Sequence, residues 1–233
     1  NILVTGLLLA WAVMFARVVA IVAFVHRPLV PDLFAPFIAM SVTCVGIGSN
    51  ERFDDPKPEV VKKAIDATKE FIRLSHDIGG SGVKVKPDRF WPEVPKEKTI
   101  EQIGKSLNEL GEYAAGFGQQ IRLEVHGHGT AELPHIKSIM DVADHPNAAV
   151  CWNSNPTDLI GDGLEANFKL VQDRLGDTVH IHDLISDYPW PEFFALLRAV
   201  GWPGPDPGSV EHQAVQRLQA LLGEFGASDD VAG

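Results

Sequence analysis

From residue 41 to residue 201, short apolar runs alternate with longer segments in which apolar side chains recur every three or four positions. Short β-branched or alternating runs are typical of strands, and the longer period is that of an amphipathic helix. The predicted strands are residues 41–48, 82–87, 120–125, 148–153 and 178–183. The predicted helices are residues 58–79, 98–118, 132–144, 164–176 and 191–201. The sequence Gly48-Ser49-Asn50 predicts a turn that ends the first strand.

Strands that alternate with helices predict a parallel sheet with right-handed crossovers. Two architectures use this pattern, the doubly wound open sheet and the closed (β/α)₈ barrel. The length of 233 residues suits one barrel of this kind. No G-x-G-x-x-G motif and no P-loop follows a predicted strand, so the sequence gives no support to a dinucleotide-binding open sheet.

Residues 3–25 form an apolar stretch that is interrupted by Arg17. Its length is sufficient for a transmembrane helix, since about 20 residues span the hydrocarbon core. Arg17 lies near the middle, where a charge costs about 2.5–3.5 kcal/mol on insertion scales. Three interpretations stay open for this segment: a membrane anchor or export signal, a fully buried helix, or sequence that does not belong to the fold.

The charge balance restricts the classes of partner. Lys and Arg number 20 and Asp and Glu number 31, which gives a formal net charge of −11. The chain has no basic stripe that could neutralise a phosphate backbone, so we expect no nucleic-acid partner. Cys44 and Cys151 lie far apart in apolar runs, and buried thiols in a reducing compartment explain them better than a disulfide. These features favour a cytoplasmic protein, with membrane anchoring or export through residues 3–25 as the alternative.

The third predicted strand carries unusual polarity for a buried strand. Alternate side chains of a strand point to opposite faces, so Arg122, Glu124 and His126 share one face. The other face is apolar, with Ile121, Leu123 and Val125. Strands of a barrel are expected to be apolar throughout. Three ionisable groups on one buried face are costly unless they pair with other groups or bind a ligand.

Further polar side chains lie near the carboxyl ends of the neighbouring predicted strands, where the loops of a barrel form the active site. These side chains are Lys84 and Lys86, which share a face, Asn153, and His180 and His182, which also share a face. Such oxygen and nitrogen donors suit a divalent ion such as Mn²⁺, Mg²⁺, Co²⁺ or Zn²⁺. A bound ion could chelate sugar oxygens and stabilise an enediolate while a carboxylate moves the proton.

Several motifs resemble those of the xylose isomerase-like TIM-barrel family, which includes sugar epimerases, hydroxypyruvate isomerase, inosose dehydratase and endonuclease IV. The motifs are IRLEVHGHGT (121–130), MDVADHPNAAVCWNSNPTD (140–158) and VHIHDL (179–184). With neighbouring segments that fit the same order, the resemblance covers about 160 of the 233 residues. It implies an α/β fold of the (β/α)₈ TIM-barrel type. That barrel is incomplete, with about five clear units, an atypical apolar N-terminal segment and a C-terminal helix.

The resemblance also implies roles for individual residues. Glu124 matches a family glutamate that ligates the metal and exchanges the substrate proton, and His180 matches a histidine ligand followed by an acid, here Asp183. Asn153 falls where the family usually has an aspartate ligand. We assign His126 to catalysis beside Glu124. We assign to substrate binding Lys86, His182, Lys84 and Arg122, the last two of which would hold an anionic group or pair with Glu124.

The chain departs from the family pattern at both ends. The last strand of the family ends in a glutamate that closes the metal site, and no predicted strand after Gly201 supplies it. Glu211 lies in a helix-like segment and does not take this role. The first two strands are not recognisable, because the apolar leader stands in their place. We therefore divide the chain into an apolar leader and connector (1–40), a barrel domain (41–225) and a flexible tail (226–233).

Three functional hypotheses follow. The preferred one is a metal-dependent isomerase or epimerase that acts on a small sugar, sugar phosphate or hydroxy-carbonyl compound by proton transfer through an enediolate. The alternative is a truncated, non-catalytic barrel that serves as a binding module, tethered to a membrane through residues 3–25. A DNA-repair enzyme like endonuclease IV is disfavoured by the net charge of −11 and by a smaller set of histidines and acids. The sequence leaves the oligomeric state open.

Overall fold

The computed structural model describes residues 44–182, 184 and 186–202. The strands are β1 (Ile47–Arg52), β2 (Gly82–Lys86), β3 (Gln120–Glu124) and β4 (Ala148–Cys151). The α-helices are α1 (Pro58–Asp77), α2 (Lys96–Ala115), α3 (Leu133–Val142), α4 (Gly163–Val171) and α5 (Trp190–Ala199). Short 3-10 turns at Pro156–Leu159 and Gln172–Arg174 flank α4. The apolar segment 3–25, Asp183, Glu211 and the predicted tail 226–233 lie outside the described residues.

The four strands form one parallel sheet in the order β1-β2-β3-β4. A doubly wound sheet reverses its strand order at a switch point, whereas a barrel adds each new strand beside the previous one. The consecutive order is therefore that of a (β/α)₈ barrel, of which the described residues form a part. Among those residues, no helix combines the length and the apolar character that crossing a bilayer requires.

The two faces of the sheet differ as the alternation predicts. In register, Val83 pairs with Ile121 and Val85 with Leu123, and all four side chains are fully buried against the helices. The helices contribute their own apolar stripes, which include Val61, Ile65, Ile72, Ile103, Leu107 and Leu110. Burial of one such side chain stabilises the fold by roughly 1.5–3 kcal/mol. The core therefore lies between sheet and helices and leaves the opposite face of the sheet to polar side chains.

The prediction for the first strand was wrong in its bounds. β1 begins at Ile47 and continues to Arg52, through the positions predicted as a turn. Ser49 is buried and its hydroxyl donates to the Lys84 carbonyl at 3.1 Å, which holds this segment against β2. The pairing with β2 passes through an irregularity between Gly48 and Arg52. A β-bulge absorbs the residues that the sequence pattern assigned to a turn.

The fifth strand was predicted at residues 178–183, and its described residues, 178–182 (the bridge segment), form one bridge, between His180 and Asn153. The His180 amide donates to the Trp152 carbonyl at 2.7 Å, and the Ser154 amide donates to the His180 carbonyl at 3.2 Å. Backbone pairing with β4 is interrupted between His180 and Gly176, because the Asp177 amide donates to the side chain of Gln120 at 3.2 Å, and it resumes where the Gly176 amide donates to the Val150 carbonyl at 2.8 Å. The segment nevertheless places His180 beside the carboxyl end of β4, in the position of the next barrel strand.

Candidate active site

Three of the predicted residues converge on one predicted carboxylate at the carboxyl end of β3. Glu124 is the last residue of this strand and is 4% exposed. The Lys84 ammonium donates to Oε2 at 2.6 Å. His180 Nδ1 lies 3.1 Å from Oε1, and the Asn153 amide nitrogen donates to Oε1 at 3.1 Å. The cluster thus consists of side chains from β2, from β3, from the residues that follow β4, and from the bridge segment.

The donors around Glu124 keep its carboxylate ionised. Burial acts to raise the pKa of Glu124, but hydrogen bonds from His180 and Lys84 and the ammonium charge outweigh it and lower the pKa to about 2. The side chains of Lys84 and Glu124 are 12% and 6% exposed, so this ion pair is largely shielded from water. A charged carboxylate therefore persists inside the barrel across the physiological pH range.

His182 extends the cluster through the amide of Asn153. His182 Nε2 lies 2.5 Å from Asn153 Oδ1, and the His182 amide donates to the Ser154 hydroxyl at 2.9 Å. His180 therefore contacts Glu124 and His182 contacts Asn153, and these two partners are hydrogen-bonded to each other. Hydrogen bonds with Cys151 and Glu124 raise the pKa of His180 to about 9 against the effect of burial. The protonated imidazole of His180 thus donates a hydrogen bond to Glu124.

His126 and Lys86 lie beside this cluster at the carboxyl ends of β3 and β2. Burial lowers the pKa of His126, although the Glu124 charge acts in the opposite direction. Its imidazole is therefore neutral at neutral pH and can accept a proton. Lys86 is half-buried and pairs in register with Arg52. No hydrogen bond or ion pair joins Lys86 to Glu124 in the described part of the chain.

Arg122 does not join the cluster, although it shares the face of Glu124. Its guanidinium is 1% exposed and donates to the Asp177 carboxylate at 3.1 Å. It also donates to Ser81 and Gln120, which lie at the amino ends of β2 and β3. The structure therefore places the cation at the opposite end of the strands from Glu124, where Asp177 neutralises it. The expectation that Arg122 pairs with Glu124 is wrong, because Lys84 occupies that place.

The donor types at Glu124 suit a divalent ion. Oε1 of Glu124 lies 3.1 Å from both His180 Nδ1 and the Asn153 amide. Ligand atoms about 2.0–2.2 Å from one ion are separated by about 3 Å, so the spacing of Glu124 Oε1 and His180 Nδ1 matches neighbouring corners of a coordination shell. Asn153 could ligate an ion only through Oδ1, which contacts His182 here. The set holds only one carboxylate. Among the described residues, no three His, Cys, Asp or Glu side chains group closely enough to hold a metal ion.

One buried acidic residue near the carboxyl end of β1 was missed by the sequence analysis. Asp54 is buried, and Trp91 Nε1 donates to its Oδ2 at 2.9 Å. Its Oδ1 has no hydrogen-bond partner, and burial raises its pKa. Asp54 follows β1 by two residues, so the correct strand end at Arg52 would have marked it as an active-site candidate.

A second missed group lies beyond β4. Asp158 is fully buried, and its Oδ2 accepts hydrogen bonds of 2.9 Å from the Tyr188 hydroxyl and from the Asn155 amide. The Trp152 indole donates to the Tyr188 oxygen at 3.1 Å. Burial raises the pKa of Asp158 to about 7, and these hydrogen bonds offset only part of the effect. Asp158 and Tyr188 are 30 positions apart, so the periodicity of the sequence could not predict their contact.

The titration of Asp158 gives a testable stability effect. Its folded-state pKa of about 7 lies above its unfolded value, so the folded protein loses stability as pH rises from about 4 to 7. Asp158→Asn keeps an oxygen that accepts both hydrogen bonds but does not titrate. Between pH 4 and pH 8, the free energy of unfolding of this variant relative to the wild type should increase by on the order of 3–4 kcal/mol. Urea denaturation at both pH values measures the difference. Asp66→Asn, at an exposed position, is the control, and an equal gain there would contradict the assignment.

Comparison with known proteins places the fold and the motifs in context. The family model described as xylose isomerase-like TIM barrel matches residues 37–222. A model for a domain of unknown function (DUF4010) matches residues 1–57. A search of curated proteins gives no match. The first family match covers more than half of the chain and confirms the resemblance that the motifs indicate.

Solved structures of similar fold include two sugar epimerases and a zinc-bound protein. The 3-keto-D-glucoside 4-epimerase from E. coli is 16% identical, with a TM-score of 0.67, over 83% of this chain and 85% of that one. The D-psicose 3-epimerase from Clostridium cellulolyticum H10, solved with D-tagatose, is 17% identical, with a TM-score of 0.63, over 75% of this chain and 66% of that one. The IOLI protein with a zinc atom is 15% identical, with a TM-score of 0.57, over 69% and 65%.

The chain thus spans most of the length of the first of these structures and slightly less than two thirds of the other two. At such identities the likeness establishes the fold alone. The fold places Glu124 and its partners at the carboxyl ends of the strands, which is the end that carries the active sites of TIM-barrel enzymes.

Proposed function

Because the chain belongs to the xylose isomerase-like TIM-barrel family, we propose that it is an isomerase or epimerase of a small sugar, sugar phosphate or hydroxy-carbonyl compound. The observation that carries the proposal is the buried, ionised carboxylate of Glu124, on which Lys84, His180 and Asn153 converge. A buried charge with several donors at the active-site end is typical of a catalytic centre.

The proposal includes a divalent ion, Mn²⁺, Mg²⁺, Co²⁺ or Zn²⁺, held by Glu124, His180 and Asn153. When bound, such an ion would polarise the substrate carbonyl and stabilise the negative charge of an enediolate. The spacing of 3.1 Å between Glu124 Oε1 and His180 Nδ1 supports this assignment, and Asn153 would contribute its amide oxygen after its amide group turns. The zinc atom of the IOLI protein supports the same chemistry on this fold.

The residues of the chain would divide the proton transfer between them. Glu124 is ionised, so its carboxylate can take the proton from the carbon next to the substrate carbonyl and return it. His126, kept neutral by burial, would exchange the proton of a substrate hydroxyl. Lys86 and His182 would orient the substrate, and Lys84 would face its oxygens at the side of Glu124. For Arg122 we propose a structural task, to close the amino end of the strands with Asp177.

A second candidate function is sugar binding without catalysis. It is favoured by Asn153, an uncharged amide at the position where the family has an aspartate ligand, which leaves one carboxylate among the ligands. A weaker metal site would bind a sugar through its hydroxyl groups but would stabilise an enediolate less. The tether to a membrane through residues 3–25 belongs to this alternative.

Incubation of the full chain with a panel of ketoses separates the two candidates. D-Psicose, D-fructose and D-tagatose are each supplied with Mn²⁺ or Co²⁺, and chromatography follows the appearance of an epimer or of the corresponding aldose. Time-dependent formation of one new sugar supports the enzyme. Binding of a sugar by calorimetry, with no new sugar formed from any member of the panel, supports the binding module and contradicts the enzyme.

A further inference from the structure

We infer that Lys84 is a built-in competitor of the metal ion for Glu124, so that the ammonium on Oε2 weakens the binding of an ion at Oε1. The inference rests on the metal site proposed above and adds a property of this chain to it. The Lys84 ammonium lies 2.6 Å from Glu124 Oε2, which is the distance of a strong charge-assisted hydrogen bond. It therefore neutralises the carboxylate charge that would attract a metal ion.

The sheet is shaped to direct Lys84 onto Glu124. Lys84 is in register with Arg122, two residues before Glu124, so its side chain must run towards the carboxyl end of the strands. Gly48 of β1 lies beside this path, and a Cβ added there would lie 3.3 Å from Lys84 Cε. A larger side chain at Gly48 would crowd the lysine stem. The adjacent strand therefore leaves room for the route that the ammonium takes.

The charges in the cluster oppose a second cation. Glu124 brings the one negative charge among the proposed ligands, and Lys84 already neutralises it. An ion bound to this carboxylate would lie within a few ångströms of the ammonium, where like charges repel strongly in a shielded environment. A second carboxylate would offset the repulsion, but this chain has the neutral amide of Asn153 at that position.

The amide of Asn153 completes a cluster that is satisfied without a metal. Its nitrogen donates to Glu124, and its oxygen lies 2.5 Å from His182 Nε2. An aspartate at this position would repel Glu124 unless a cation lay between the two carboxylates. Hydrogen bonds from Lys84 and Asn153 therefore stabilise the Glu124 carboxylate in place of a metal cation.

Isothermal titration of the full chain with MnCl₂ tests the inference through metal affinity, without any substrate. Lys84→Met removes the ammonium and keeps the length of the stem. We expect it to bind Mn²⁺ about 10–100-fold more tightly than the wild type, the range by which groups around metal ligands alter affinity. Lys84→Gln serves as a second variant if the first does not fold, which circular dichroism and thermal melting report.

Lys86→Met is the matched control, since it removes the same charge from the same face of β2, two residues further along. Its affinity is expected to change far less. Equal affinity in the wild type and both Lys84 variants, or an equal gain in the control, would overturn the inference.

Asn153→Asp separates this inference from the proposed metal site. It adds a carboxylate ligand and is expected to tighten Mn²⁺ binding as well. If Asn153→Asp binds Mn²⁺ more tightly but the Lys84 variants do not, the metal site stands and the competition is wrong. If no variant binds Mn²⁺, both the metal site and the competition are overturned.

Discussion

Replacement of Glu124 by glutamine is expected to lower the turnover of an accepted sugar by about 10²–10⁴-fold, the range for loss of a general base. The amide has nearly the same shape, but it has no charge to accept a proton or to offset the Lys84 ammonium 2.6 Å away. It also replaces an anionic metal ligand by a neutral one. The initial rate of product formation measures the effect, and circular dichroism shows whether the variant folds.

Glu112→Gln is the matched control for this experiment. The Glu112 side chain is 83% exposed and contacts His145 on the surface, so its loss removes the same charge far from the cluster. We expect wild-type turnover for this variant. A Glu124→Gln variant that is folded and turns over sugar as fast as Glu112→Gln would remove Glu124 from the mechanism.

Gly127→Ala is expected to destabilise the protein by about 3–5 kcal/mol, since it combines backbone strain with a close clash. Gly127 has φ +102°, and a Cβ added there would lie 1.9 Å from the Asp88 carbonyl oxygen. The same carbonyl accepts hydrogen bonds of 2.9 Å from the His128 amide and the Thr130 hydroxyl, which join the loops after β2 and β3. Urea denaturation measures the loss of stability.

Gly118→Ala separates the two causes of this loss. Gly118 also has positive φ, +62°, but an added Cβ meets nothing within 4 Å. It carries the backbone strain alone, which costs roughly 1–2 kcal/mol for a left-handed residue. A similar loss of stability in both variants would show that the contact with Asp88 is not a constraint. Because His126 precedes Gly127, we also expect Gly127→Ala to lower turnover.

The helices and the faces of the strands followed from the sequence because both depend on local periodicity. On α1 the buried residues Val61, Ile65 and Ile72 follow the three- and four-residue spacing that predicts an amphipathic helix, and the alternation on β3 separates Leu123 from Glu124. The pairing of strands in register then brings together residues whose side chains point to the same face of the sheet. This is why Lys84, Glu124 and His180, which lie on three separate segments, meet at one carboxylate.

The face of the sheet on which a residue lies does not determine towards which end of the strand its long side chain extends. Arg122 and Glu124 share a face, but the arginine turns to Asp177 at the amino end while Lys84 extends to the carboxyl end. The choice depends on partners that only the fold provides. Among those partners, Asp177 lies 55 residues from Arg122 in sequence and supplies its counter-charge.

The failures at β1 and at the bridge segment arise from side chains that replace or interrupt backbone pairing. Ser49 reads as a turn residue, but its buried hydroxyl bonds to the Lys84 carbonyl. The Asp177 amide donates to the Gln120 side chain, so backbone pairing is interrupted between Gly176 and His180. Such contacts depend on tertiary neighbours, and their effect on the site is direct, because the wrong end of β1 hid Asp54.

The central claim is that the Glu124 cluster moves a proton to and from the carbon next to a sugar carbonyl. The most direct measurement is NMR of the ketose panel recovered after incubation with the full chain and Mn²⁺ in D₂O. We expect deuterium at the carbon adjacent to the carbonyl of at least one sugar with the wild type, and none with Glu124→Gln. Recovery of every sugar without deuterium from the wild type, or equal deuterium from Glu124→Gln, would contradict it.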